Sequence, residues 1–508
     1  MLKARWIILI LFFISVVIRI PHLDRPLSKH HEFNAAMILI PMEVWDQTPS
    51  SEHHYAPIMN FPNAGDKGLN NMTLEELQKN GNFYYLSFPS ATYMLPYLSF
   101  KLIGVSASPL ALQVFNMLVH LLCALLLYRI VRFLTMKNSG DISETNQSDQ
   151  LPAIVAAAVF LFSPTPLWFF GNGYTHHTLV ILFILWTVLI SLRILHGNTH
   201  VRKWDWAQLF LALTLAVLTA WSAYLLAFIL FCIALRRWFQ TKEINAFLVI
   251  PILAVALGSS LTYWQFSSVV GSDVFLTYLK DRFLVRSGSE SGVGTSILHL
   301  FAALGKWYAI GFLPILIFIL YQILRLKTLR FHFSEKERTF LIVIITLCFS
   351  HHFLLGEFTA AHNYSVLLDG VLISGLSGLL LSRMIDAKLK TWLLYSLLGL
   401  VFLASITQYY YINRIGDYGQ NGDRYDFMQT IGETMRENST EDEVLFVMNL
   451  NDKPAPQVMY YAKRNFHHVK SLNEADSLMK MYDIQKSKVF VIKDQVVVEI
   501  RTLSRQLR

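Results

Sequence analysis

Charge is scarce in this chain. Of its 508 residues, only 15% are Asp, Glu, Lys or Arg, while 54% are apolar. Soluble domains carry about 25% charged residues. A water-soluble globular fold is therefore excluded, and a polytopic α-helical membrane protein is expected. Cysteine is scarcer still, with 3 in all. Cys123, Cys232 and Cys348 lie in apolar stretches, with neither the pairing of a disulfide framework nor the spacing of a zinc site. The short basic loops contain no G-x-x-x-x-G-K-[ST] segment, so the common nucleotide-binding loop is missing. No internal repeat is evident, which weighs against inverted-repeat transporters. The net charge of +8 is scattered along the chain. A nucleic-acid site would gather it on one face, so nucleic acid is not an expected partner.

The charge that is present falls in a pattern. Lys3/Arg5, Arg129/Arg132/Lys137, Arg193/Arg202/Lys203, Arg236/Arg237/Lys242, Arg325/Lys327/Arg330/Lys336/Arg338 and Arg383/Lys388/Lys390 occupy every second loop. Short basic loops stay in the cytoplasm, which puts the N-terminus inside. A helix needs about 20 apolar residues to cross a bilayer. Spans are expected near 5–20, 110–135, 151–170, 177–195, 205–221, 223–238, 245–264, 305–324, 339–356, 365–383 and 391–410, eleven in all. An odd count leaves the C-terminus outside. No small-residue cleavage site follows residues 6–20, so they read as a retained first span. Residues 86–104 are apolar, but Pro89, Pro96 and Lys101 interrupt them. A crossing there breaks the alternation, so an interfacial helix is expected.

Residues 1–410 thus read as a transmembrane domain with two large outer loops, 21–109 and 265–304. The first loop holds amphipathic helices, beginning with Phe33–Trp45. The second holds an amphipathic helix whose apolar positions 274, 275, 278, 279, 283 and 284 have helical spacing. The tail, 411–508, reads as a small extracytoplasmic α/β domain. Its expected order is helix 425–437, strand Val444–Asn449, helix Ala455–Arg464, short strand His467–Ser471, helix Asn473–Tyr482, strand Val489–Lys493 and strand Val496–Ile500. Short loops and the lack of disulfides point to a bacterial inner membrane.

Polar groups concentrate at the outer ends of the spans. Asp24 and Glu32 follow the first span, where a carboxylate can act as a general base; polar residues also follow any membrane helix. Five His-His doublets (30–31, 53–54, 176–177, 351–352, 467–468) lie outside or near the outer face. Adjacent histidines seldom share one ion, and a ligand set needs supporting geometry. Glu357, His362, Asn363, Tyr364 and Asp369 cluster where the ninth span turns into the tenth. Asp369 falls inside a span, and such carboxylates face a cavity or a partner. His351 and His352 lie about a turn below.

One layout unites these features. A membrane-surface carboxylate follows the first span. A long outer loop then carries Tyr84-Tyr85-Leu-Ser-Phe88-Pro89-Ser90 and Phe100-Lys-Leu-Ile-Gly104. This resembles the GT-C glycosyltransferases, and more closely the branch with protein O-mannosyltransferases and the lipid A aminoarabinose transferase. In that branch the first loop usually has an Asp-Glu pair and later a double proline. Here His31-Glu32 and Phe88-Pro89-Ser90 stand in those places, which leaves Asp24 and Glu32 both open as the catalytic carboxylate.

The resemblance implies a glycosyltransferase. A polyprenyl-phosphate-linked sugar would be the donor, and a glycan, lipid or protein hydroxyl the acceptor, with inversion at the anomeric carbon. The donor phosphate needs cations, for which Lys280, Arg282 and Arg286 qualify; snorkelling to membrane lipids is the other reading. His176 and His177 stand where the family often has a second acid and could bind phosphate. His31, Tyr85, Glu357, His362, Tyr364 and Asp369 would line the cavity. No cofactor is required on this reading, with a histidine-bound divalent metal as the alternative. A lipid-linked glycan polymerase or ligase, or a transporter or lipid flippase, are the competing functions.

Overall fold

The computed structural model describes residues 4–27, 31–63, 65, 69, 77–136, 150–197, 201–242, 245–288, 297–326, 332–387, 391–415, 426–450 and 455–504. It opens with α1 (Ala4–Arg19), α2 (Phe33–Gln47), the single turn α3 (Ser50–His53), α4 (Ala91–Ile103), α5 (Pro109–Thr135), α6 (Leu151–Phe162), α7 (Pro164–Phe169) and α8 (His176–His196). The middle runs through α9 (Lys203–Val217), α10 (Ser222–Thr241), α11 (Ala246–Val270), α12 (Ser272–Ser287), α13 (Ile297–Leu326), α14 (Glu335–Leu354), α15 (Gly356–Ala361), α16 (Asp369–Asp386) and α17 (Thr391–Ile415). The fold is a polytopic helical bundle with a small sheet-containing C-terminal unit.

Eight described helices are long and apolar enough to cross a membrane. The other three expected spans coincide with α6, α9 and α17, which stand outside that set. The stretch 151–170 was expected as one helix, and it breaks at Ser163. Pro164 has no N–H to continue the ladder and clashes with the preceding turn, so α6 ends and α7 restarts with Pro164 in its first turn. At the other end of the bundle, Ser334 and Glu337 form a capping box at the start of α14. Glu337 also accepts from Arg383 at 2.5 Å, tying α14 to the end of α16.

Close helix packing needs small residues. A Cβ at Gly378 of α16 would lie 2.7 Å from the Pro152 carbonyl oxygen of α6. The Ala156–Ala158 run on α6 is likewise fully or almost fully buried. Helix α4 has 13 residues, too few to span, and leaves Leu98, Leu102 and Ile103 exposed. This suits a helix lying at a membrane surface.

The C-terminal unit follows the expected order closely. It contains α18 (Phe427–Glu437), α19 (Pro456–Ala462) and α20 (Leu472–Met481). After the short hairpin β1 (Gln78–Lys79) and β2 (Asn82–Phe83) of the first loop, its strands are β3 (Val444–Met448), β4 (His467–His468), β5 (Lys486–Lys493) and β6 (Val496–Ser504). Sheet order is β4-β3-β5-β6, with β3 parallel to β4 and β5, and β6 antiparallel to β5.

This unit is fastened to the first loop. Tyr461 Oη accepts from the Leu27 amide at 2.8 Å, Lys463 pairs with Glu43, and α19 packs on α2. Asn465 caps the Phe61 backbone from both sides: Oδ1 accepts from the amide at 2.7 Å and Nδ2 donates to the carbonyl at 2.8 Å. Replacing Asn465 with Ala leaves two buried backbone groups unpaired, each costing about 1–3 kcal/mol. N465A is therefore expected to lower the thermal unfolding temperature and to open the first loop to limited proteolysis. Unchanged values on both would contradict this clamp.

Candidate active site

Helix α12 carries the cationic side of the site. It starts after Gly271 and ends at Gly288, both with positive φ (96° and 79°), which favour glycine. Phe275 and Tyr278 are its buried anchors, Phe275 meeting Phe266 edge-on at 5.3 Å. Arg282 and Arg286 are four residues apart and so share one helix face. Lys280 falls on another face and is exposed.

Both guanidinium groups are held in place. Arg282 Nε donates to Ser87 Oγ at 3.1 Å, and Ser87 Oγ lies 2.5 Å from the Tyr278 hydroxyl. Arg286 sits over the Phe88 ring at 4.7 Å and the Phe358 ring at 5.4 Å, a cation–π arrangement. Burial lowers the pKa of Arg286 from its ordinary value, with Tyr85 acting the other way.

These residues line a cavity of about 760 Å³. The first loop contributes Phe33, Asn34, Tyr85 and Phe88; α12 contributes Arg282, Val285, Arg286 and the capping Gly288; α15 and its exit contribute Glu357, Phe358, Ala361, His362 and Tyr364. Six residues expected from the sequence thus meet here: Tyr85, Arg282, Arg286, Glu357, His362 and Tyr364. Glu357 is the one carboxylate in the lining among the described residues. His362 stacks on Tyr364 with centroids 5.0 Å apart. Burial, then Arg286 and Arg282, push the His362 pKa down to about 4.

Other expected residues stand behind this wall. His176 stacks on Phe88 at 3.6 Å, and His177 stacks on Phe358 at 5.6 Å and lies 5.2 Å from His351. His31, in the left-handed region at φ 52°, meets Tyr364 at 5.0 Å and His362 at 5.5 Å, edge-on to both. His30 lies outside the described residues.

Three expected acids lie elsewhere. Asp24 is exposed, its amide held by Gln113 Oε1 at 2.9 Å. Glu32 is 1% exposed and ion-paired with Arg25 at 2.6 Å, in a small crevice shared with Gln113 and Asn172. Asp369 is buried inside the bundle and bonded to His352 Nε2 at 2.8 Å. The cavity residues that sequence reasoning did not single out are chiefly Asn34, Phe88 and Phe358. Only Phe88 had a signal, its place in the aromatic–proline segment. Among the described residues, no group of three or more His, Cys, Asp or Glu is arranged to hold a metal ion.

The helical bundle, the helical first loop and the small C-terminal sheet unit make up a fold that this chain shares with the solved membrane proteins ArnT and AglB. ArnT of Cupriavidus metallidurans, the lipid A aminoarabinose transferase, was solved bound to undecaprenyl phosphate. It aligns with TM-score 0.62 and 12% identity over 96% of this chain and 93% of that one. The oligosaccharyltransferase AglB of Archaeoglobus fulgidus, in complex with an inhibitory peptide and a dolichol-phosphate, aligns with TM-score 0.54 and 13% identity. That match covers 96% of this chain and 69% of that one. AglB in complex with Zn and sulfate aligns with TM-score 0.54 and 13% identity over 95% and 67%. No family model and no curated protein matches the sequence.

The Arg25–Glu32 pair generates a test. Removing one member of a buried pair costs about 3–5 kcal/mol, because the other charge is left without its partner. Glu32→Gln is expected to lower the unfolding temperature, and Arg25→Gln/Glu32→Gln to recover part of the loss. Strictly additive losses in a double-mutant cycle would contradict the pairing.

Proposed function

We propose that the chain moves a sugar from a polyprenyl-phosphate donor to an acceptor hydroxyl, with inversion, on the outer face of a bacterial inner membrane. One observation carries this reading: Arg282, Arg286 and Glu357, the one carboxylate among the described lining residues, line the same cavity of about 760 Å³. A fold shared with a protein solved with undecaprenyl phosphate supports it.

On this reading the donor phosphate sits at the two arginines. The acceptor oxygen attacks the anomeric carbon from the side opposite the phosphate. The bond from that carbon to the phosphate oxygen breaks, and its electron pair leaves with the phosphate. Charge builds on the leaving oxygen, where fixed cations in a water-poor site act most strongly. The acceptor hydroxyl gives its proton to a carboxylate acting as general base. We assign that role to Glu357, because the cavity exposes it. Glu32, engaged by Arg25, instead fixes the start of α2 and with it Phe33 and Asn34. Asp24 serves the same turn, and Lys280 meets lipid headgroups. His176 and His177 brace the aromatic wall that holds Arg286. The arginines supply the charge that leaving-group departure needs, so the reading calls for no metal. The C-terminal unit and α12 form the approach for the acceptor.

The test uses the purified chain with a panel of undecaprenyl-phosphate sugars, in detergent-opened membranes that supply acceptors. Glu357→Gln is expected to lower kcat by about 10²–10⁴-fold while undecaprenyl phosphate still binds. Arg286→Ala is expected to weaken that binding at least about tenfold, one charge-assisted contact being worth about 1.5–3 kcal/mol. Native kcat in Glu357→Gln, with loss in Asp24→Asn/Glu32→Gln, would move the base to the first loop. No turnover of any donor by the native chain would sink the reading.

A further inference from the structure

A very short helix cannot set its own rotation, and the one that carries Glu357 is very short. Helix α15 spans 6 residues, Gly356–Ala361, too few to hold together without tertiary packing. At 3.6 residues per turn, Ala361 shares the Glu357 face, and Thr359 lies roughly 200° round from it. The cavity follows this division: Glu357, Phe358 and Ala361 line it, whereas Thr359 is fully buried. Whatever grips Thr359 therefore sets where Glu357 points.

Thr359 is gripped twice. Its carbonyl accepts from Trp307 Nε1 of α13 at 3.1 Å. Its hydroxyl lies 3.4 Å from His352 Nδ1 of α14. The other ring nitrogen, Nε2, is 2.8 Å from Asp369 Oδ2 at the start of α16. A carboxylate only accepts, so Nε2 carries the proton. In the neutral ring Nδ1 is then left to accept from the Thr359 hydroxyl. Asp369 is held in turn by the Tyr308 hydroxyl of α13 and the Cys348 thiol of α14. A carboxylate within a membrane span is costly and is found with partners and a task. Its partners here come from α13 and α14, the two helices that also grip α15.

We infer that Thr359 and His352 are positioning residues: anchored by Asp369 and Trp307, they fix the rotation of α15 on the bundle and so aim Glu357 into the cavity. The inference rests on the reading of Glu357 as the base.

The test uses the full chain in detergent and has two readouts. The first is kcat with the best donor of the undecaprenyl-phosphate sugar panel. Three changes each remove one grip: Thr359→Val keeps the shape without the hydroxyl, His352→Gln keeps a donor for Asp369, and Trp307→Phe keeps an aromatic ring. Each is expected to lower kcat by about 10–10²-fold, the effect of a reacting group displaced by about 1 Å. Thr359→Ser, which keeps the hydroxyl, is expected to retain native kcat. His352→Gln/Thr359→Val is expected to fall no further than either single change, since one bond joins the two residues. Binding of undecaprenyl phosphate, carried by α12, is expected to change less than kcat.

The second readout needs no activity. Ala361→Cys is placed on the Glu357 face in a Cys232→Ser background, the other two cysteines being buried. Its rate of labelling by a water-soluble maleimide is expected to shift when Thr359→Val or Trp307→Phe is added, and to stay native with Thr359→Ser. Labelling that neither change alters overturns the inference, whatever happens to kcat. Native kcat in all three single variants overturns it as well. Should the native chain turn over no donor while the labelling still shifts, the transferase reading falls and the anchoring of α15 stands.

Discussion

Two guanidinium groups line one cavity, and the side chains around them hold both in place. Arg282 and Arg286 lie a helical turn apart on α12 and line a cavity with one carboxylate among its described lining residues. Like charges at this spacing repel unless neighbours hold them. The neighbours here are a hydroxyl pair, Ser87 and Tyr278, for Arg282, and two aromatic faces, Phe88 and Phe358, for Arg286. Hydroxyls and π-faces orient a cation without neutralising it. Among the described lining residues the two guanidinium groups outnumber the one carboxylate, Glu357. Gly271 and Gly288, both at positive φ, bound α12 at either end.

The remaining architecture serves that wall. Phe88 comes from the first loop, and His176 braces it from the start of α8. Phe358 comes from α15, and His177 braces it. The C-terminal unit fastens the first loop through Asn465, Tyr461 and Lys463, which hold Phe61, Leu27 and Glu43. The Arg25–Glu32 pair fixes the turn before that helix. Segments far apart in sequence thus converge on about 760 Å³ of space.

Much of this was legible in the sequence because it depends on local periodicity. Helix α12 announces itself by apolar spacing with arginines four apart. The C-terminal unit does so by short amphipathic helices alternating with runs such as Val444–Met448 and Lys486–Lys493. The polar cluster at Glu357, His362 and Tyr364 stood out against apolar surroundings. What stayed hidden depends on long-range contact. Ser87 and Arg282 are 195 residues apart, and Leu27 and Tyr461 are 434 apart. No spacing rule reports such pairs. The acids were the hardest to sort. A carboxylate after a membrane span looks the same whether it is open to a cavity or engaged, as Glu32 is, by an arginine seven residues away. Chain position alone also gave no sign that Asp369 spends its charge on His352.

On the proposed function, this cavity receives a lipid-linked phosphate at Arg282 and Arg286. A structure of the full chain determined with undecaprenyl phosphate tests it most directly. Phosphate density is expected within hydrogen-bonding distance of both guanidinium groups, with Glu357 on the opposite side of the anomeric position. Phosphate density elsewhere on the bundle, with these arginines unliganded, would contradict it.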